Sequence, residues 1–152
     1  PHLEHYAQNK KLSRVRFFGF THQENLPKFY TSSDIFVLPS SFETWGLVIN
    51  EAMNFGLPII TTTMTGAGYD LVKHGENGFF YQPNNVGELT DYLFRLTQNP
   101  DLREKMGKLS LQIISKWGLE ESMTGVISAL KFIKERTSFI SRIIFKDSLS
   151  NV

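Results

Sequence analysis

Two carboxylates, those of Glu43 and Glu51, stand on either side of a predicted helix N-terminus, with seven residues between them. The first-turn backbone N–H groups, around Gly46, Leu47 and Val48, form an anion site for which phosphate is the usual ligand. Carboxylates accept hydrogen bonds from pairs of sugar hydroxyls. A nucleotide sugar, which carries phosphate and hydroxyls, fits this combination. An acid at this position can equally be only a cap or a dipole partner, so both interpretations stay open.

The elements that would position these carboxylates are a strand and the helix that follows it. The run at 35–38 is short, β-branched and aromatic, which is typical of a buried strand, and Pro39 closes it. After a small polar loop, apolar residues recur at helical spacing until Gly56, with Glu51 about two turns into the helix. In open α/β sheets, ligands bind outside the carboxyl ends of the strands, so this junction is the expected site.

Short apolar runs alternate with longer helical patterns along the rest of the chain, as they do in parallel α/β domains. An N-terminal helix is predicted to end near 9–11, and a strand at 15–18 precedes a turn at Gly19. The segment at 63–69 contains two glycines and is interpreted as a loop before a helical turn at 70–73. The remaining predicted strands lie at 58–62 and 79–81, and the remaining predicted helices at 26–31, 86–96, 102–114 and 119–135.

The C-terminal part of the chain adds three expectations. Asp101 is the expected cap of the helix at 102–114, and Trp117 is interpreted as a packing residue rather than a chemical one. The tail at 137–152 alternates apolar and basic residues. Such an amphipathic end either packs against another domain or lies on an anionic membrane surface.

Composition narrows the class of protein. A chain of 152 residues with 41% hydrophobic and 13% aromatic residues is long and apolar enough for one folded domain. A net charge of +1 gives no preference for nucleic acid, and the absence of cysteine excludes disulfides and thiolate metal sites. No apolar run approaches the roughly 18–20 residues of a membrane span. A dinucleotide-binding dehydrogenase lacks support, because no Gly-x-Gly-x-x-Gly opens a helix after a strand.

Four segments, together with the Glu43–Glu51 pair, resemble the retaining glycosyltransferases of family 4 in order and spacing. The segments are VRFFGF at 15–20, LPKFYTSSDIFVLPS at 26–40, EAMNFGLPII at 51–60 and DLVKHGENGF at 70–79. The resemblance implies the GT-B fold, in which two Rossmann-like domains enclose the active site between them. It identifies 1–136 as most of the C-terminal domain, an α/β Rossmann-like parallel sheet with flanking helices that binds the donor, and 137–152 as a tail.

The resemblance also implies a reaction and its residues. A sugar passes from a nucleotide-activated donor to an acceptor hydroxyl with retention at the anomeric carbon. Glu43 is the implied catalytic residue, accepting hydrogen bonds from the donor sugar, and Glu51 would bind the ribose hydroxyls. No Asp-x-Asp motif is present to hold a divalent cation, and the family implies transfer without a metal or other cofactor. The implied substrate-binding residues are Phe20 near the base, then Thr44, Trp45, Gly46, Leu47, Val48 and Glu51.

Parts of the family pattern are expected to lie outside this chain. The basic residues that bind the diphosphate in the family would precede Pro1, as would the N-terminal acceptor-binding domain. We therefore expect a truncated protein that binds a UDP-, GDP- or ADP-sugar without transferring it to an acceptor glycan or lipid. The implied setting is cytoplasmic polysaccharide biosynthesis, with or without peripheral membrane contact.

The alternative function is a non-catalytic module, derived from the same fold, that binds a nucleotide or a partner protein. A pure scaffold has no need of the Glu43–Glu51 pair, which favours the enzyme. A hydrolase would also use two acids, but Glu51 within the helix is poorly placed to act together with Glu43.

Overall fold

The chain divides into two compact units in the computed structural model, which describes residues 2–147 and their side chains through residue 137. The first unit ends at Ser33 and the second begins at Asp34. The first unit contains helix α1 (His2–Asn9), a 3₁₀ turn (Gln23–Asn25) and helix α2 (Leu26–Thr31). Both predicted helices of this unit are confirmed.

The predicted strand at 15–18 is wrong, because residues 15–19 have no regular secondary structure. The Val15 N–H donates to the Leu12 carbonyl oxygen at 3.2 Å, within a turn. The Phe18 ring packs edge-on against Phe29 of α2, with 4.8 Å between the ring centroids. β-Branched and aromatic residues favour a strand, but a strand also needs a neighbour to pair with. The turn at Gly19 is confirmed by its φ of 65°.

The second unit is built on a parallel sheet of three strands in the order β1 (Phe36–Leu38), β2 (Ile59–Thr62) and β3 (Gly78–Tyr81). In the register, Ile60 of β2 pairs with Val37 on one side and Phe79 on the other. The central strand β2 is buried along its whole length, whereas β1 at the edge is only half-buried. The predicted strand at 35–38 is thus confirmed, but its expected full burial is not.

Helices connect and follow the strands. Helix α3 (Leu47–Asn54) leads from β1 to β2, and α4 (Gly66–Leu71) leads from β2 to β3. The segment at 63–69, predicted as a loop, therefore already contains the start of a helix. The chain continues through α5 (Val86–Gln98), α6 (Pro100–Ile114) and α7 (Leu119–Asp147).

Two helix boundaries differ from expectation. The cap of α6 is Asn99 rather than Asp101, because the Asn99 Oδ1 atom accepts the Leu102 N–H at 3.0 Å and Pro100 opens the helix. Helix α7 runs past the predicted end at 135 to Asp147. The side chains from 138 onward and residues 148–152 lie outside the described residues, so the packing of the 137–152 tail stays a prediction. Among the helices described, none combines the length and apolar character needed to cross a membrane.

The core of the second unit lies where β2 and β3 meet α5 and α6, and it is accompanied by a buried polar group. The fully buried Asn77 accepts the Lys73 N–H at 2.7 Å and donates to the Leu71 carbonyl oxygen at 3.1 Å. From α6, the Ser110 hydroxyl donates to the Leu57 carbonyl oxygen at 2.8 Å. Every buried side-chain polar atom of the described part of the chain has a partner. The buried core cluster comprises Ile60, Phe79, Tyr81, Leu96 and Met106.

Because of the Tyr81 phenol, the free energy of unfolding should vary with pH in the alkaline range. Burial raises the pKa of Tyr81 above its ordinary value. As the pH rises above about 10, the unfolded chain loses this proton first, so the free energy of unfolding falls. We expect Tyr81→Phe to make that fall shallower when urea unfolding is measured between about pH 9 and 11. Identical pH slopes in the two proteins would contradict the assignment.

Candidate functional site

The loop that leaves the carboxyl end of β1 is bonded to the neighbouring strand β2. The Thr61 hydroxyl donates to the Leu38 carbonyl oxygen at 3.1 Å, and the Thr62 hydroxyl donates to the Ser40 carbonyl oxygen at 2.6 Å. Both threonine side chains are buried. Because a buried hydroxyl must find a hydrogen-bond partner, these two bonds fix where the loop turns away from the sheet.

Further along, the same loop pairs with the start of α4. The Glu43 N–H donates to the Met64 carbonyl oxygen at 3.0 Å, and the Glu43 carbonyl oxygen accepts the Gly66 N–H at 3.0 Å. The Trp45 carbonyl oxygen then accepts the Ala67 N–H at 2.7 Å. The backbone on both sides of Glu43 is thus held by hydrogen bonds to residues about 20 positions later in the chain.

Gly46 joins this loop to α3. It is buried and has a φ of 95°, a left-handed conformation that glycine adopts without strain. A Cβ atom there would lie 3.2 Å from both the Glu43 Cγ and the Leu38 Cδ2 atoms. No side chain caps α3 through its N-cap residue. In the first turn, the Ile49 N–H donates to the Gly46 carbonyl oxygen at 2.9 Å. The Leu47 and Val48 N–H groups precede the first intrahelical bond, which is the position at which a helix binds an anion.

The two glutamates frame this helix start. Both side chains are half-buried, and the Glu43 Oε1 atom lies 3.4 Å from the Trp45 backbone nitrogen. Glu51 follows Leu47, the first residue of α3, by four positions, so the two side chains share one face of the helix. Glu51 thus lies about one turn into the helix, not two as expected. Within the described residues, no group of three His, Cys, Asp or Glu side chains could hold a metal ion.

The predicted site residues fall into two groups. Phe20 belongs to the first unit, where its side chain is 87% exposed. The others form one continuous segment of the second unit, with Thr44 and Leu47 exposed and Gly46 buried. This segment comprises Glu43, Thr44, Trp45, Gly46, Leu47, Val48 and Glu51.

The residues that support the loop were not among the predicted site residues. Thr61, Thr62 and Thr65 are buried, and the Thr61 and Thr65 hydroxyl oxygens lie within hydrogen-bond distance, 3.0 Å apart. The available signal was the run of threonines at the end of a predicted buried strand, since a buried hydroxyl needs a hydrogen-bond partner. The pattern did not reveal that the partners are carbonyl groups of the β1 loop.

Comparison with known proteins identifies the class of protein. A sequence model of the family described as "Glycosyl transferases group 1" matches residues 2–111. An uncharacterized glycosyltransferase of Haemophilus influenzae is 40% identical over 93 residues, which are 61% of this chain and 26% of that protein. The chain spans 22% to 35% of the length of the first curated relatives it matches.

The fold is also that of solved glycosyltransferase structures. The C-terminal domain of the group 1 family protein LpcC of Francisella tularensis superposes with a TM-score of 0.71 at 27% identity, over 78% of this chain and 62% of that one. Anabaena HepE in complex with UDP-glucose superposes with a TM-score of 0.69 at 27% identity, over 76% of this chain and 31% of that one. The predicted α/β fold of a GT-B C-terminal domain is thus confirmed. Since the family model covers well over half of its residues, the chain belongs to the group 1 glycosyl transferases.

Proposed function

We propose that this chain is the donor-binding part of a retaining glycosyltransferase of family 4, which transfers a sugar from a nucleotide sugar to an acceptor hydroxyl. The observation that carries the proposal is the loop at 39–46, whose hydrogen bonds to β2 and α4 hold Glu43 next to the first turn of α3. Family membership and the likeness to HepE bound to UDP-glucose support the same class of ligand.

The start of α3 would bind the diphosphate. The N–H groups near Trp45, Gly46, Leu47 and Val48 would donate to phosphate oxygens, and the helix dipole adds to the attraction. Negative charge grows on the diphosphate as the bond to the sugar breaks, so the same donors would stabilise the departing group. Gly46 has no side chain to cap the helix, and the Trp45 N–H already has the Glu43 Oε1 atom at 3.4 Å, so the Leu47 and Val48 N–H groups would make the main contribution.

Each glutamate would bind one set of hydroxyls. Glu51, on the same helix face as Leu47, would accept hydrogen bonds from the ribose. Glu43 would accept hydrogen bonds from the transferred sugar. Its negative charge would also favour the positive charge that develops at the anomeric carbon.

The wider setting follows from the family and is part of the proposal. Residues 1–136 would form the donor-binding domain, and the 137–152 tail would pack on an acceptor-binding domain or a membrane surface. The acceptor would be a glycan or lipid of a cytoplasmic polysaccharide pathway. Because the acceptor would be bound by another domain, this chain by itself would bind the donor without transferring the sugar.

Nucleotide titration of single variants tests the two glutamates separately. We expect calorimetry to show that the wild-type chain binds one of UDP, GDP and ADP. Glu51→Ala should weaken the binding of that nucleotide about ten- to hundredfold, because a hydrogen bond to a charged group contributes about 1.5–3 kcal/mol. Glu43→Gln should leave the binding of the free nucleotide unchanged and weaken only the binding of the nucleotide sugar.

The matched variant Glu51→Gln keeps the shape of the side chain and removes only its charge. It should bind more weakly than the wild type and more tightly than Glu51→Ala. Binding of all three nucleotides by Glu51→Ala as tightly as by the wild type would contradict the proposal. Failure of the wild type to bind any nucleotide or nucleotide sugar would instead favour a non-catalytic module that binds a partner protein.

A further inference from the structure

The only two tryptophans of the chain, Trp45 and Trp117, lie against each other. Their ring centroids are 6.1 Å apart and the rings are inclined by 43°. This separation falls within the 4.5–7 Å at which aromatic pairs attract beyond simple burial. Trp45 belongs to the loop beside Glu43, whereas Trp117 lies in the turn between α6 and α7, more than seventy positions later.

Trp45 is held by bonds that converge on the proposed site. Its carbonyl oxygen accepts the Ala67 N–H at 2.7 Å, and its indole Nε1–H donates to the Asn50 Oδ1 atom of α3 at 3.2 Å. Its backbone N–H lies 3.4 Å from the Glu43 Oε1 atom. A shift of the Trp45 ring would therefore disturb the Glu43 carboxylate, the first turn of α3 and the start of α4 together.

Trp117 supplies the contact on the Trp45 ring without being a core residue. Its side chain is 46% exposed, and its backbone N–H donates to the Ile114 carbonyl oxygen at 2.9 Å at the end of α6. Since nearly half of this residue stays exposed, truncation of its ring should cost the fold less than truncation of a core aromatic residue. Truncation removes the ring that packs against the Trp45 ring.

We propose that Trp117 is a positioning residue, whose ring holds Trp45 and through it the loop that binds the donor diphosphate. The inference rests on the proposed function, since it assigns a support to the same site. The turn between α6 and α7 contains none of the proposed donor-binding residues. Through Trp117 it would nevertheless influence the affinity of the donor-binding site. Trp117 itself touches no donor atom in this arrangement.

The test compares Trp117→Ala, Trp117→Phe and Phe94→Ala in the intact chain. Phe94 is an exposed aromatic residue on α5 and serves as the matched control. The first readout is amide hydrogen exchange at Ala67, which reports the bond to the Trp45 carbonyl oxygen. The second is the dissociation constant for UDP, GDP or ADP, whichever the wild type binds most tightly.

Trp117→Ala should raise both the amide exchange rate at Ala67 and the dissociation constant for the nucleotide by about three- to tenfold, as the loss of an aromatic pair predicts. Exchange at Ile60 and Phe79 in the sheet should stay unchanged. Trp117→Phe keeps an aromatic ring, so its exchange rate at Ala67 and its dissociation constant should stay within about twofold of the wild type. Phe94→Ala should change neither quantity.

The outcomes separate the inference from the proposed function. Wild-type binding that Trp117→Ala leaves intact would overturn the role of Trp117 and leave the donor site standing. A uniform rise in exchange across the sheet would also overturn it, because it would assign Trp117 to general stability. Absence of nucleotide binding by the wild type would reject the donor site, and the role of Trp117 with it.

Discussion

Gly66→Ala is expected to weaken nucleotide binding about a hundredfold. A Cβ atom on Gly66 would lie 2.1 Å from the Thr44 carbonyl oxygen and 3.3 Å from the Trp45 Cα atom. Carbon and oxygen atoms in ordinary contact are about 3.3 Å apart, so the loop beside Glu43 would have to move by about 1 Å. A misplacement of that size in a preorganised site costs about a hundredfold. Calorimetric titration with the preferred nucleotide measures the loss.

Gly87→Ala is the matched control for this substitution. Gly87 also lies in the first turn of a helix, and its added Cβ atom would meet only the Asn85 Oδ1 atom, at an ordinary distance of 3.4 Å. This variant should bind nucleotide as the wild type does. If Gly66→Ala bound equally well, the close contact between α4 and the loop would not govern the site. Urea unfolding of both variants checks that each is folded under the conditions of the titration.

Gly107→Ala is expected to destabilise the second unit strongly. Gly107 lies in α6, and a Cβ atom there would be 2.0 Å from the carbonyl oxygen of Gly56, in the turn that ends α3. The obstacle is a backbone atom, so no side-chain rotation relieves the clash and the two helices must separate. Overpacking of this kind typically costs about 1–3 kcal/mol, and more where the backbone has to shift. Urea unfolding followed by circular dichroism measures the change.

Gly125→Ala gives the opposite expectation from the same chemical change. Gly125 lies within α7, where nothing approaches its added Cβ atom within 4 Å. Alanine exceeds glycine in helix propensity by about 0.5–1 kcal/mol, so this variant should retain or gain helical stability. Retained or increased stability in Gly107→Ala, matching Gly125→Ala, would mean that helix propensity, and not the approach of α6 to the α3 turn, decides the result.

The Gly66 and Gly107 substitutions share one physical basis, since the start of α3, which would bind phosphate, and the far end of that helix are both supported by distant residues. Thr61 and Thr62 bind the carbonyl groups where the loop leaves β1, and the contact between α6 and Gly56 supports the far end of α3. The proposed site therefore depends on residues that would never touch the ligand. Preorganisation of this kind keeps hydrogen-bond donors aligned before the anion arrives.

Local sequence patterns determined much of this protein. Apolar periodicity predicted all three strands of the sheet and the helix after β1, because each of these elements buries one stretch of neighbouring residues. The sequence also predicted that Glu43 precedes a helix start and that Glu51 lies within the helix, although Glu51 lies about one turn in and not two. The same local reasoning failed at 15–18, where strand propensity had no pairing partner, and at 63–69, where small residues concealed a helix.

Only the tertiary structure decided which distant residues support the site. The threonines of β2 bond to the β1 loop across more than twenty positions, Gly66 meets the Thr44 carbonyl group, and Trp117 meets Trp45 across more than seventy. No pattern in the chain encodes such pairs, because a hydroxyl or a ring has many possible partners and the packing of the sheet selects one. Secondary structure follows from neighbours in sequence, whereas the precision of a binding site follows from neighbours in space.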